Sequence, residues 1–82
     1  MNAIDAVEKK RIRWRSRRGL LELDIVLERF LAAGFDALDE EGLVAYRRLL
    51  DLDDNDFLDV VNGKADLDDQ ALMAVVQLLR AV

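Results

Sequence analysis

Between Arg17 and Ala33 apolar residues recur at helical spacing over so much of the surface that few other structures fit. Leu20, Leu23, Leu27, Phe30 and Leu31 form one stripe, and Leu21, Ile25 and Val26 broaden it. A helix this apolar must be enclosed by others, so the segment predicts the centre of a small bundle. With 82 residues, 52% of them apolar, the chain holds enough for one core. The expectation is all-α: a compact five-helix bundle, with residues 1–82 forming a single helical domain.

The flanking sequence supplies the other helices. Residues 3–13 predict a first helix, with Ile4, Val7, Arg11 and Trp14 at three- and four-residue spacing. A break near Trp14–Ser16 follows, with Ser16 as the N-cap of the second helix. Gly34 fits a left-handed C-terminal position, with Phe35 folding back onto the helix. Asp39 is expected to cap a third helix over Glu40 to Leu50, with Leu43, Tyr46, Leu49 and Leu50 inward. Asp54 is expected to cap a fourth, Asn55 to Asn62, with Phe57, Leu58 and Val61 inward and Gly63 closing it. Asp66 would cap the fifth, whose stripe is Leu72, Val75, Val76 and Leu79. Short connections suit antiparallel neighbours.

The residues that are missing bound the chemistry. The chain has no His, Cys, Thr or Pro, so neither a Ser-His-Asp nor a Cys-His arrangement can be built. Zinc held by imidazole or thiolate is excluded, and no catalytic residue is assigned; the chain reads as a non-enzyme. Asp51, Asp53 and Asn55 sit at positions one, three and five of a calcium loop. Position six is Asp56 where Gly is needed, and position twelve is Asn62 where Glu is needed. That segment therefore reads as a capping turn, with no metal site. The N-terminus carries Asp5 and Glu8 and lacks the apolar run of a secretory signal. The longest uncharged run, Gln70 to Leu79, is ten residues, about half a membrane span. A cytoplasmic protein without membrane insertion is expected.

Charge is placed unevenly. Residues 1–18 carry seven basic and two acidic side chains, while residues 19–82 carry five basic and fifteen acidic ones. The basic segment 9–18, with Trp14 inside it, suggests a nucleic-acid-binding or regulatory alternative. The acidic remainder opposes that alternative, since it repels a polyanion. The same arginines can instead neutralise the acidic helices.

Within this segment, Arg18 and Glu22 are four residues apart, one face of a helix if the helix begins at Arg17. Gly19 between them would cost a helix interior ~1 kcal/mol relative to Ala. Bare backbone between two charged groups suits close approach by another molecule, or it marks the start of the helix.

Arg18-Gly19-Leu20-Leu21-Glu22 resembles the R-G-x-x-E signature of the succinate dehydrogenase assembly factors, the SdhE family. Its surroundings match too: Arg11-Ile12 before Trp14, then Arg17-Arg18-Gly19, then Glu22-Leu23-Asp24. Looser similarities extend the resemblance over roughly residues 8–63; Val60 departs from it, standing where a Trp is expected in many relatives. The resemblance implies a five-helix bundle that helps attach FAD covalently to the flavoprotein subunit of succinate dehydrogenase, and of fumarate reductase. The bond forms on a His of the flavoprotein, so the helper needs no stably bound cofactor. It implies that Arg18, Gly19 and Glu22 contact the partner, Arg18 through a bidentate bond to a carboxylate. Trp14, Arg17, Arg11 and Asp24 would extend that patch. No nucleic acid is expected as a partner.

Overall fold

The computed structural model describes residues 4–82, and within them five helices follow in order. They are α1 (Ala6–Arg15), α2 (Leu21–Ala33), α3 (Glu40–Leu49), α4 (Asp54–Val61) and α5 (Gln70–Ala81), with a single 3₁₀ turn at Phe35–Ala37. No strand occurs among the described residues. The all-α five-helix expectation holds. The expected first residue of helix one, Ala3, lies outside the described residues.

α2 is central, as its composition demands. It buries Leu23, Leu27 and Phe30 and packs against both α4 and α5. α3 and α5 make the most extensive helix pair. Tyr46 on α3 is fully buried, with ring centroids 5.3 Å from Phe30 and 5.8 Å from Phe35. Aromatic pairs at such distances add about 0.5–1.5 kcal/mol beyond the area they bury. The phenol hydroxyl lies 2.7 Å from Ser16 Oγ, which also donates to the Ile12 carbonyl at 2.8 Å. The buried hydroxyls of Ser16 and Tyr46 are thereby satisfied. The Cα radius of gyration, 11.8 Å, is that of a compact chain of this length.

Several boundaries differ from expectation, each for a physical reason. α1 runs to Arg15, and Ser16 closes it instead of capping α2, because its hydroxyl turns back to Ile12 and Tyr46. The inner face of α1 carries Ile12, while Val7 and Trp14 are 60% and 77% exposed. The expected face was one residue out of register, a rotation of about 100°. Leu21 and Ile25, expected to widen the buried stripe of α2, point outward.

Gly34 has φ −128°, so it is not left-handed. A Cβ there would lie 2.9 Å from Phe30 Cε1, and the lack of that atom lets the ring pack. Asp53, not Asp54, caps α4, accepting from the Asp56 amide at 2.9 Å. The Asp54 carboxylate is taken by Arg18. On α4, Val60 is buried and Leu58 only partly so. Asp69, not Asp66, caps α5 through the amides of Ala71 and Leu72. Asp66 instead pairs with Arg80 at 2.9 Å. Arg80 also donates to the carbonyls of Val60 and Ala65, which fastens the connection between α4 and α5.

Candidate functional site

The connection between α1 and α2, residues 16–20, carries the motif, and polar bonds fix its course. The Arg17 amide donates to the Trp14 carbonyl at 3.2 Å. The Asp24 carboxylate, in the first turn of α2, then clasps two successive amides. Its Oδ1 accepts from Arg18 N at 2.7 Å and its Oδ2 from Gly19 N at 3.1 Å. Leu20, the N-cap residue of α2, offers no side-chain acceptor. Asp24 thus captures amides that immediately precede the helix. Gly19 adopts φ +84°, which a right-handed helix cannot contain, so α2 starts at Leu21. Arg18 and Glu22 therefore do not share a helix face, and Gly19 is not inside a helix.

Arg18 turns inward. Its Nε donates to Asp54 Oδ1 at 2.8 Å, its Nη1 to the Leu50 carbonyl at 2.6 Å and its Nη2 to the Leu52 carbonyl at 2.6 Å. The side chain is 14% exposed and lies over Phe57, 6.0 Å from the ring centroid. Each guanidinium nitrogen has an internal acceptor, so the bidentate bond expected to a partner would draw on the two N–H groups that these bonds leave over. Asp24, expected at the contact surface, likewise spends both oxygens inside the chain.

The outward residues are different ones. Glu22 is exposed in the first turn of α2, where the helix dipole favours a carboxylate. It makes no hydrogen bond or ion pair among the described residues. A Cβ built on Gly19 would meet nothing within 4 Å. Leu21, beside Glu22, is 73% exposed, and Ile25 follows one turn later. These two apolar residues were missed by periodicity, which assigned them to the core.

The expected site residues fall into separate groups. Arg17, Gly19 and Asp24 line a groove of about 580 Å³ with Arg13, Glu28 and Leu31. Arg11 and Trp14 lie with Val7, Lys10 and Arg15 on the outer side of α1. Arg18 and Glu22 line neither.

Of the seven basic residues at 9–18, four are paired: Arg11 with Glu8, Arg13 with Asp36, Arg15 with Asp51 and Arg18 with Asp54. Arg13 also lies over Phe35, 4.6 Å from the ring centroid. Lys9, Lys10 and Arg17 remain. Three of these pairs, those of Arg13, Arg15 and Arg18, neutralise carboxylates beyond α1 and so account for part of the basic run.

The residues do not make a dinucleotide cradle. The groove beside Gly19 sets Asp24 and Glu28 against Arg13 and Arg17, and carboxylates repel a pyrophosphate. Among the described residues no cluster of His, Cys, Asp or Glu could hold a metal ion. No described helix is long and apolar enough to cross a membrane.

Comparison with known proteins places this arrangement. A family model described as "Flavinator of succinate dehydrogenase" matches residues 10–82. The "FAD assembly factor SdhE" of Ralstonia nicotianae is 39% identical over 82 residues, covering 95% of this chain and 86% of that protein. The protein of the same name from Idiomarina loihiensis is 36% identical over 72 residues, covering 88% of this chain and 80% of that one. That of Vibrio parahaemolyticus is 46% identical over 56 residues, covering 68% and 65%. No solved structure matches the chain. With the match running from within α1 to the end of α5, the chain belongs to the family of succinate dehydrogenase flavinators.

Proposed function

We propose that this chain is an assembly factor, not an enzyme, that docks on the flavoprotein subunit of succinate dehydrogenase in the cytoplasm. There it promotes covalent attachment of FAD. Fumarate reductase, whose flavoprotein presents the same task, is a second client. Family membership and the names of the relatives support the reading.

The observation that carries it is Glu22, an exposed carboxylate without a partner among the described residues, beside the open backbone of Gly19. Glu22 accepts from a partner amide or cation, and Gly19 lets the partner's backbone approach. Trp14, Arg17 and Arg11 extend the surface, and Trp and Arg are frequent interface anchors. Leu21 and Ile25 add apolar area next to Glu22. FAD and the residue it joins belong to the partner, and the helper contributes position.

Co-expression with the flavoprotein subunit tests this. The Gly19→Arg and Glu22→Ala variants are expected to fold and to leave the denatured subunit without its covalent flavin fluorescence. Wild-type fluorescence with both variants would overturn the proposal.

A further inference from the structure

The guanidinium of Arg18 joins three elements. It starts in the connection before α2, reaches the carbonyls of Leu50, the C-cap residue of α3, and of Leu52 in the turn after it, and ends on Asp54 at the start of α4. A planar fork can serve two carbonyls and a carboxylate at once. Its own backbone amide is meanwhile held by Asp24. Arg18 is thus fastened at both ends, and the residue that follows it is Gly19. Three of its five N–H donors are held by Asp54, Leu50 and Leu52, so a partner carboxylate that took the whole fork would compete with them.

We infer that Arg18 is a positioning residue: an internal strut from the motif to the α3–α4 turn that presents Gly19 and Glu22 in a fixed geometry without touching the partner. The inference rests on the docking reading above and redefines one residue within it. A connection ordered before docking avoids the cost of ordering it on docking. Asp54, remote in sequence and absent from the motif, becomes part of the same device.

The sign of two charge changes separates a strut from a contact. If Arg18 gripped a partner carboxylate, removing Asp54 would release the guanidinium and binding would tighten or stay unchanged. If Arg18 is a strut, Asp54→Ala and Arg18→Ala act in the same direction. Binding of each full-length variant to purified flavoprotein subunit is the measurement, with thermal unfolding recorded alongside. Both variants are expected to bind roughly threefold to tenfold more weakly, the scale of one ordinary lost hydrogen bond. Arg18→Lys, which keeps the charge but not the fork, is expected to weaken binding too. It stands in for Arg18→Ala should that variant not fold.

Unchanged or tighter binding by Asp54→Ala, or unaffected binding by both Arg18 variants, would overturn the strut. Glu22→Ala separates the two levels. If it binds like wild type, the docking reading fails, and the strut is then judged on the free chain. There, a moved Gly19 amide resonance in Asp54→Ala supports it, and an unmoved one refutes it.

Discussion

The two ends of α2 each carry a glycine, and the two are needed for opposite reasons. At the start, Gly19 has φ +84° and open space where a Cβ would be. At the end, Gly34 has an ordinary negative φ and no space, since Phe30 Cε1 lies 2.9 Å from a built Cβ. The first end is held by polar bonds at the surface, the second by aromatic packing. Tyr46 joins the two, packing tilted against Phe30 and edge-on against Phe35 and bonding Ser16. The difference teaches that a glycine's backbone conformation and its surroundings must be read separately. One glycine serves an exposed path that another molecule can approach, and the other serves the core.

The largest effect should come from the packed end. Gly34→Ala is expected to cost about 1–3 kcal/mol, because the added Cβ, 2.9 Å from Phe30 Cε1, forces the buried ring to shift. Urea unfolding measures it. Replacing Phe30 by Leu in the same chain should shrink the penalty, and a constant penalty would break the comparison. The folded fraction of Gly34→Ala should still bind the flavoprotein normally.

At the open end, Gly19→Ala is expected to cost roughly 1–2 kcal/mol of left-handed strain. That cost should not depend on any neighbouring side chain. Gly19→Asn should cost less, since Asn tolerates positive φ better.

A smaller effect is expected from Asp24→Ala, about 1 kcal/mol. Its signature is local: faster hydrogen exchange at the Arg18 and Gly19 amides, with the Gly34 amide unaffected.

The pH limits of stability are the mildest test. Burial raises the Tyr46 pKa above its ordinary 10.0, against the Ser16 hydrogen bond and the charges of Arg18 and Arg13. The folded state then holds the phenolic proton more tightly than the unfolded state. The stabilisation is complete below pH 10.0 and is lost as pH rises through the higher folded value. Tyr46 is the only tyrosine, so tyrosinate absorbance reports it directly. The Leu72 amide first, then the Arg48 side chain, holds the Asp69 carboxyl below its ordinary 3.8. Its contribution is present above pH 3.8 and lost as pH falls through the lower folded value, with α5 fraying at its start.

The helices α2 to α5 were legible because each has its own apolar stripe, and α3, α4 and α5 each begin at a capping aspartate. Asp39 caps α3 as its position implied, accepting from the Gly42 amide at 2.8 Å. Where two carboxylates stood close together, as at Asp53 and Asp54 or Asp66 and Asp69, local chemistry could not choose between them. The choice was made by arginines far along the chain. Arg18 reaches Asp54 over 36 residues and Arg80 reaches Asp66 over 14. The motif was legible as a unit, but the direction of its arginine was not. Spacing alone suggested a shared helix face for Arg18 and Glu22. The left-handed turn at Gly19 sends one side chain inward and leaves the other at the surface. Asp24, six residues after Arg18, was legible as part of the motif's surroundings, yet its role depends on how the preceding chain curls back.

The central claim is that the surface beside Gly19 docks on a flavoprotein through Glu22. Its most direct test is the dissociation constant of the purified chain with the flavoprotein subunit, for wild type and Glu22→Ala. Glu22 is exposed and has no partner among the described residues, so the variant should unfold at the wild-type temperature and yet bind the subunit more weakly by about tenfold or more. Equal dissociation constants for the two folded proteins would contradict the claim.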